Sequence, residues 1–480
     1  MRRFIRFLAL ASLLPLGACS AMIGSEAPGS YRFRPSPREE TALFAPTGPE
    51  WGLALSGGGI RSSLFSMGVM KFMYERGWLD SVQVVSTVSG GGYTAYWLYT
   101  REMRQPMERR FEQTFRPDSF RVALCEVMTR GNFVTYPQMF RAAINPFSGP
   151  RTLYERSLLR TFGEAEGDSP VQLHDLRPRT LEHTLPYLIV NTTVHQPAPR
   201  RGWAEGLYEF TPVMHGNDAW GYSLWDSTSI GYLKAASISG AAFKGFLQQR
   251  LQLSTGSKVM ADGGHSENLG AVALIRRRVR NIVILDGVHD PDYEFGAYHN
   301  LKTRLERWGY RVEIPSLDSA LPLSRGERLA TGVHEGWVTS LDPSDRYTGR
   351  IIYVKLSLPR SLDSALTDSP VVERGDTVHE RIFAQLNRKA APDGSWNCDS
   401  LGPMEYSERD WFVFLVHHYS LFNPEGVRRR RGLAGIHKGL GVSFPHITTF
   451  DQSLYLDQSG SLVGLGYLIA ERELEAAMRR

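Results

Sequence analysis

The sequence predicts an α/β fold with a largely parallel sheet. Three observations lead there. Between residue 50 and about residue 290, short apolar runs alternate with helical patterns. Two of the apparent strands run straight into glycine-rich turns that open helices. A third ends in an Asp followed by two glycines. Strands separated by helices are joined by crossovers, so they run parallel with helices covering the sheet. The chain has 480 residues, 42% hydrophobic and 22% charged. That is ample for a sizeable core.

Taken in order, Trp51 to Leu55 reads as the first strand. Ser62 to Arg76 reads as a helix, with Leu64, Phe65, Met67, Val69, Phe72 and Met73 to bury and Gly77 to end it. Val82 to Val88 is a second strand and Gly92 to Met103 a second helix. Residues 104 to about 180 are polar, aromatic and mixed, which predicts a cap insertion. Leu185 to Val190, Val259 to Asp262 and Asn281 to Asp286 read as strands, and Ala271 to Arg278 as a helix. Further on, Leu301 to Trp308 looks helical and Arg350 to Leu358 looks extended. Residues 359 to 410 are rich in Asp, Ser, Pro and Gly and read as surface loops. Leu462 to Met478 makes a closing helix. With no boundary visible after residue 295, residues 50–480 are expected to form one elaborated domain.

The first eighteen residues carry a different signal. Arg2, Arg3 and Arg6 form a basic stretch, and Phe7 to Leu16 is an apolar run too short to span a bilayer comfortably. The following Leu16-Gly17-Ala18-Cys19 resembles the bacterial lipobox. That resemblance implies cleavage before Cys19 and acylation of Cys19. An ordinary secretory signal is the alternative. Each methylene of an acyl chain adds about 0.8 kcal/mol of membrane affinity, so several chains anchor firmly. Ser20, in place of Asp, implies sorting to a bacterial outer membrane, facing the periplasm. Residues 19–49, rich in Pro, Gly, Ser and Arg, then read as a lipidated tether. Losing the three leader arginines takes the formal charge from +5 to +2, which gives nucleic-acid binding no support. Export would permit a disulfide between Cys125 and Cys398; two buried thiols account for them equally well.

Three segments carry chemistry. Ser56-Gly57-Gly58-Gly59-Ile60-Arg61 joins a strand to a helix. Its glycines allow a tight turn and expose main-chain N–H groups at a helix start, a nest for a phosphate or an oxyanion. A plain connecting turn is the bland reading. Thr87-Val88-Ser89-Gly90-Gly91-Gly92 matches a nucleophile elbow, with Thr87 where the first glycine usually stands. A serine helix cap is its alternative. Asp262-Gly263-Gly264-His265-Ser266-Glu267-Asn268-Leu269-Gly270 puts a carboxylate at a strand end, where open α/β sheets bind ligands. An Asp capping a turn explains it as well. Together they supply an anion nest, a hydroxyl and a base, and serine needs a base to act as nucleophile.

The ordered trio Gly57-Gly58-Gly59-Ile60-Arg61, Val88-Ser89-Gly90-Gly91 and Asp262-Gly263-Gly264 resembles the patatin-like phospholipases, and looks closest to their cytosolic phospholipase branch. Phe444-Pro445-His446 with Thr449 and Asp451 resembles the same group more loosely. The resemblance covers residues 50 to about 290 well and 295 to 460 in fragments. It implies a three-layer fold and a Ser-Asp dyad that needs no metal or other cofactor. By position, Ser89 is the nucleophile, Asp262 the general base, and Gly57, Gly58 and Gly59 line the oxyanion hole. Arg61 matches an arginine that assists there or meets the lipid phosphate; a surface arginine is its alternative. The implied activity is hydrolysis of glycerophospholipid or lysophospholipid esters at a phospholipid membrane. Rival readings are a catalytically silent lipid- or partner-binding lipoprotein, and an esterase or peptidase using His265 in a triad. The Arg428 to Arg431 run reads as a solvated loop or a headgroup contact.

Overall fold

In the computed structural model, residues 33, 36–104, 110–116, 119–120, 126–127, 150–163, 170–194, 206–225, 229–241, 247–253, 256–320, 323, 331–359, 445–446 and 456–480 are described. Five strands run parallel through the centre of the sheet. They are Trp51–Leu55 (β1), Val84–Val88 (β2), Tyr187–Val194 (β3), a strand at Asn281–Asp286 and one at Thr348–Lys355. Four further strands follow β3 in the chain: Leu207–Phe210 (β4), Met214–Asn217 (β5), Gly221–Leu224 (β6) and Gln249–Leu253 (β7). Gly256–Asp262 is β8, and Asn281–Asp286 is then β9. Tyr310–Glu313 (β10) and Val333–Ser340 (β11) precede Thr348–Lys355 (β12). The order across the sheet is β10-β11-β12-β9-β1-β2-β3-β4-β5-β6, with β8 also on β3 and β7 on β8. The region beyond residue 295 therefore extends the same sheet through β10, β11 and β12.

Alternation along each strand builds the two helical layers. Leu53, Leu55, Val85, Leu188, Val190, Val283 and Leu285 pack into one core cluster. Their neighbours Ala54, Val84, Tyr187, Ile189, Ile282 and Ile284 pack into the other. Both faces being apolar, the strands need helices on each side. The first face is covered by Gly59–Glu75 (α1), Gly90–Glu102 (α2), Pro150–Phe162 (α3), Tyr232–Ser239 (α4) and a late helix. The second face is covered by Ala271–Arg276 (α5) and Gly296–Arg307 (α6). The late helix, Leu456–Ile469 (α7), continues through a π turn, Ala470–Leu474, to Met478. It lies directly on α1: a Cβ at Gly68 would come 1.9 Å from the Val463 carbonyl oxygen. This is the three-layer α/β architecture expected, with a mixed sheet whose centre is parallel.

One expectation changes. The stretch 19–49 is not wholly a tether, because its described end, residues 36–49, is docked. Leu43 and Phe44 pack against the second core cluster, and Phe44 meets Tyr187 edge-on at 5.6 Å. Glu40 is buried between Arg276 and Arg277. The Pro- and Arg-rich composition hid these anchors. Of the cap expected near 104–180, α3 is described and packs on α2 and α4. Cys19, Cys125, Cys398, Arg428 to Arg431, Phe444, Thr449 and Asp451 lie outside the described residues. So do residues 360 to 410, most of the stretch expected to form surface loops. Among the described residues, no helix is long and apolar enough to cross a membrane.

Candidate active site

One register brings the serine and the aspartate together. β2 runs parallel to β3 and ends with Val88 opposite Asn191. β8 runs antiparallel to β3 and ends with Asp262 opposite Thr192. The other edge of β3 is taken by β4. So β2 and β8 share one edge of β3, arrive from opposite directions and stop one residue apart. Ser89 and Asp262 stand at that junction although 173 positions separate them in the chain.

The turn after β2 is tight. Ser89 has φ 47° and ψ −115°, a strained left-handed conformation for a residue with a side chain. Its strain is held from several sides. The Ser89 N–H donates to Ser239 Oγ at 2.9 Å, and Ser239 Oγ donates to the Asn191 carbonyl at 2.7 Å. Asn191 Nδ2 donates to Ser86 Oγ and to the Thr87 carbonyl. A Cβ at Gly90 would lie 2.1 Å from the Gly59 oxygen, so the two glycine turns are pressed together. Thr87 fits where a glycine was expected because its hydroxyl donates to the Ile189 carbonyl across the β2–β3 pair.

The hydroxyl of Ser89 donates to Asp262 Oδ2 at 3.0 Å. Asp262 Oδ1 accepts the Gly264 N–H at 2.7 Å. Both residues are buried, at 7% and 4% exposure. Burial pushes the Asp262 carboxyl up to about 7, and the hydrogen bonds from Gly264 and Ser89 pull it back only in part. A carboxylate poised there accepts a proton far better than an ordinary aspartate. Because the hydroxyl meets the carboxylate directly, His265 is not the link between them.

The glycine turn after β1 supplies the third component. Gly58 (φ 135°) and Gly59 (φ 65°) adopt conformations closed to most side chains. The N–H groups at the start of α1 have no acceptor within the helix, and they carry its positive dipole end. Gly57 differs from expectation, since its N–H donates to the Asn268 carbonyl at 2.9 Å. It lines the crevice by lacking a side chain: a Cβ there would stand 2.1 Å from Asn268 Oδ1 and 3.4 Å from Ser89 Cβ. Of the three amides expected to line the oxyanion hole, that of Gly57 is thus committed to Asn268.

Residues 53–275 match the family model described as patatin-like phospholipase. That stretch of the chain is similar to the patatin-like phospholipases. The structure of human GIVD cytosolic phospholipase A2 superposes with a TM-score of 0.52 at 14% identity, covering 90% of this chain and 62% of that one. The same human enzyme in complex with methyl gamma-linolenyl fluorophosphonate gives 0.50 at 15% identity, covering 90% and 59%. This chain therefore spans about three fifths of the length of those structures, and the likeness is one of fold. No curated protein sequence matches significantly.

Within this patatin-like domain, Arg61 departs from the surface position considered for it. It is buried at 1% exposure, and its Nε donates to the Gly287 carbonyl at 3.0 Å. Burial lowers its pKa to about 9, opposed by the nearby Asp286. Gly287 in turn donates its N–H to Ser56 Oγ at 2.8 Å. Arg61 thus ties the start of α1 to the end of β9, beneath the glycine turn. Sequence reasoning missed Asn191 and Ser239. Only spatial pairing marks them, as neither lies in one of the three glycine-rich motifs. Asn268 lay inside the third motif, and its spacing from Asp262 gave no hint of its contact with Gly57.

Proposed function

We propose that this protein is a serine lipid acyl hydrolase that cleaves carboxylic esters of glycerophospholipids or lysophospholipids. The observation that carries the reading is the direct 3.0 Å hydrogen bond from Ser89 to an aspartate raised to about 7. Ser89 Oγ attacks the ester carbonyl as its proton passes to Asp262. The carbonyl oxygen takes up negative charge opposite the amides of Gly58 and Gly59. Collapse of the tetrahedral adduct breaks the ester bond, and the leaving alcohol takes the proton from Asp262. Water, deprotonated by Asp262, then attacks acyl-Ser89, releases the fatty acid and restores the serine. The family-model match over residues 53–275 and the name of the human fold relative, a phospholipase A2, support lipid esters as the substrate class. Acylation of Cys19 would confine the enzyme to the surface where such lipids lie, with the outer membrane of a bacterium as the proposed location.

Mixed phospholipid vesicles test the proposal. Mass spectrometry should find free fatty acid and the matching deacylated lipid, at a rate that Ser89→Ala lowers by roughly 10³-fold or more. Near-normal release by Ser89→Ala would remove Ser89 from the mechanism. Intact mass of membrane-extracted protein should show acyl chains on Cys19, absent in Cys19→Ala.

A further inference from the structure

One hydroxyl ties the nucleophile to the strand that its base pairs with. Ser239 is the last residue of α4 and is fully buried. Its Oγ accepts the Ser89 N–H at 2.9 Å and donates to the Asn191 carbonyl at 2.7 Å. Chemistry fixes the direction of both bonds, because a main-chain N–H only donates and a main-chain carbonyl only accepts. A hydroxyl has the one proton and the lone pair that such a bridge needs, and a methyl group has neither.

The Asn191 carbonyl lies where β2 and β8 meet β3. Asn191 pairs in register with Val88, the last residue of β2, and the next residue, Thr192, pairs with Asp262 at the end of β8. A Cβ at Gly263, the residue after the base, would stand 2.4 Å from the Asn191 oxygen. The carbonyl that anchors the Ser239 hydroxyl therefore also backs the peptide that follows Asp262. Through Ser239, the Ser89 amide is held against a fixed point on β3. The 3.0 Å reach from Ser89 Oγ to Asp262 Oδ2 is set from that point.

α4 is firmly mounted for this task. Ala235, Ala236 and Ile238 are buried in the first core cluster. Tyr232 meets the rings of Tyr96 and Tyr99 on α2 edge-on, at 5.0 and 6.4 Å. Glu155 of α3 accepts from Lys234 Nζ at 2.7 Å and from Ser237 Oγ at 3.1 Å. Ser89, at φ 47° and ψ −115°, needs such support, because strained backbone persists only where its surroundings enforce it. Relaxation of that turn would swing Oγ off Asp262. We propose that Ser239 is a positioning residue for acylation of Ser89, an inference that rests on the hydrolase reading above. It acts through the Ser89 main chain, so its removal slows the chemical step and leaves ligand binding in place.

The test is labelling of Ser89 by a fluorophosphonate probe in the full-length protein, followed by intact mass over a range of probe concentrations and expressed per folded molecule. Ser239→Ala should lower the maximal labelling rate by roughly 10 to 10²-fold, with the half-saturating probe concentration within about two-fold of wild type. Ser239→Thr keeps the hydroxyl and should hold the maximal rate within about five-fold. Ser237→Ala is the matched control. It removes an equally buried hydroxyl from the same helix, one that bonds Glu155, and should stay within about three-fold of wild type. Equal losses in Ser239→Ala and Ser237→Ala would overturn the proposal, as would a Thr variant no faster than the Ala variant. A loss carried by half-saturation instead of maximal rate would also overturn it. If Ser239→Ala does not fold, Ser239→Cys decides, since a thiol fills the site but donates and accepts weakly. A wild-type rate in that variant would overturn the proposal, and a rate lowered by about five-fold or more would support it. A wild type that labels at Ser89 alongside an undiminished Ser239→Ala sinks the positioning role alone. A wild type that never labels there sinks the hydrolase reading, and this inference with it.

Discussion

Asp262 and Glu209 are both buried carboxylates, yet they sit at opposite ends of the titration range. Burial raises each of them. For Asp262 the opposing groups are two neutral donors, and the carboxyl ends near 7. For Glu209 the guanidinium groups of Arg276 and Arg277 overwhelm burial and bring it down to about 2. The Glu209 cluster joins β4, α5 and the docked segment around Glu40, with Arg276 and Arg277 each 2.8 Å from Glu209. Burial alone therefore says little about what a carboxylate does. A buried acid given cations is part of the framework, while one given only a hydroxyl and an amide can still exchange a proton at neutral pH.

The comparison breaks first at Asp262→Asn. In the proposed mechanism it removes the base, so acyl hydrolysis should fall by roughly 10² to 10⁴-fold. The same change should stabilise the fold. A folded-state pKa raised from 3.8 to about 7 means that the folded chain disfavours the ionised form. That cost is absent below 3.8, grows as pH rises and is complete above about 7. The amide that replaces the carboxyl cannot ionise, so at pH 8 the variant should unfold with a stability higher by on the order of 2–4 kcal/mol. Denaturant titration at two pH values reads this directly, and a variant less stable than wild type at both would contradict it.

Glu209→Gln should do the reverse. It leaves Arg276 and Arg277 buried with Glu40 as their remaining salt-bridge partner among the described residues and Asp218 acting on Arg276 alone, at a cost of about 3–5 kcal/mol. Hydrolysis per folded molecule should stay within a few-fold. The sign of the pH dependence is also opposite. Glu209 contributes stability above its unfolded pKa of 4.5 and loses it as pH falls through about 2. The gap between wild type and variant should therefore be widest at neutral pH and close in acid. A gap that widens in acid would show that the cluster is not held by charge.

These two carboxylates also mark what could be read in the sequence. The α/β alternation, β1, β9 and the positions of Ser89 and Asp262 were visible, because glycine turns after apolar runs are local features. The short antiparallel strands β4 to β7 were not: runs such as Met214–Asn217 are too short and polar to stand out. Glu40 looked like part of a tether, and only its meeting with Arg276 and Arg277, more than 230 residues away, makes it core. Gly57 looked equivalent to Gly58 and Gly59 until Asn268 took its amide. What escaped in each case was a long-range partner, which no local pattern encodes.

The smallest predicted effect belongs to His265, and it separates a dyad from a triad. A triad needs the imidazole between the hydroxyl and the carboxylate, where it takes the serine proton. Here Ser89 Oγ and Asp262 Oδ2 are 3.0 Å apart, leaving no room for a ring between them. His265 instead ends the short 3-10 turn Gly263–His265, whose Gly264 amide donates back to Asp262. His265→Ala should keep hydrolysis within about three-fold of wild type and stability within about 1 kcal/mol. Its pH midpoint should stay where Asp262 puts it. A loss of roughly 10³-fold would mean that the serine turns away from the aspartate to an imidazole during catalysis, and the carboxylate would then be the orienting group instead of the base.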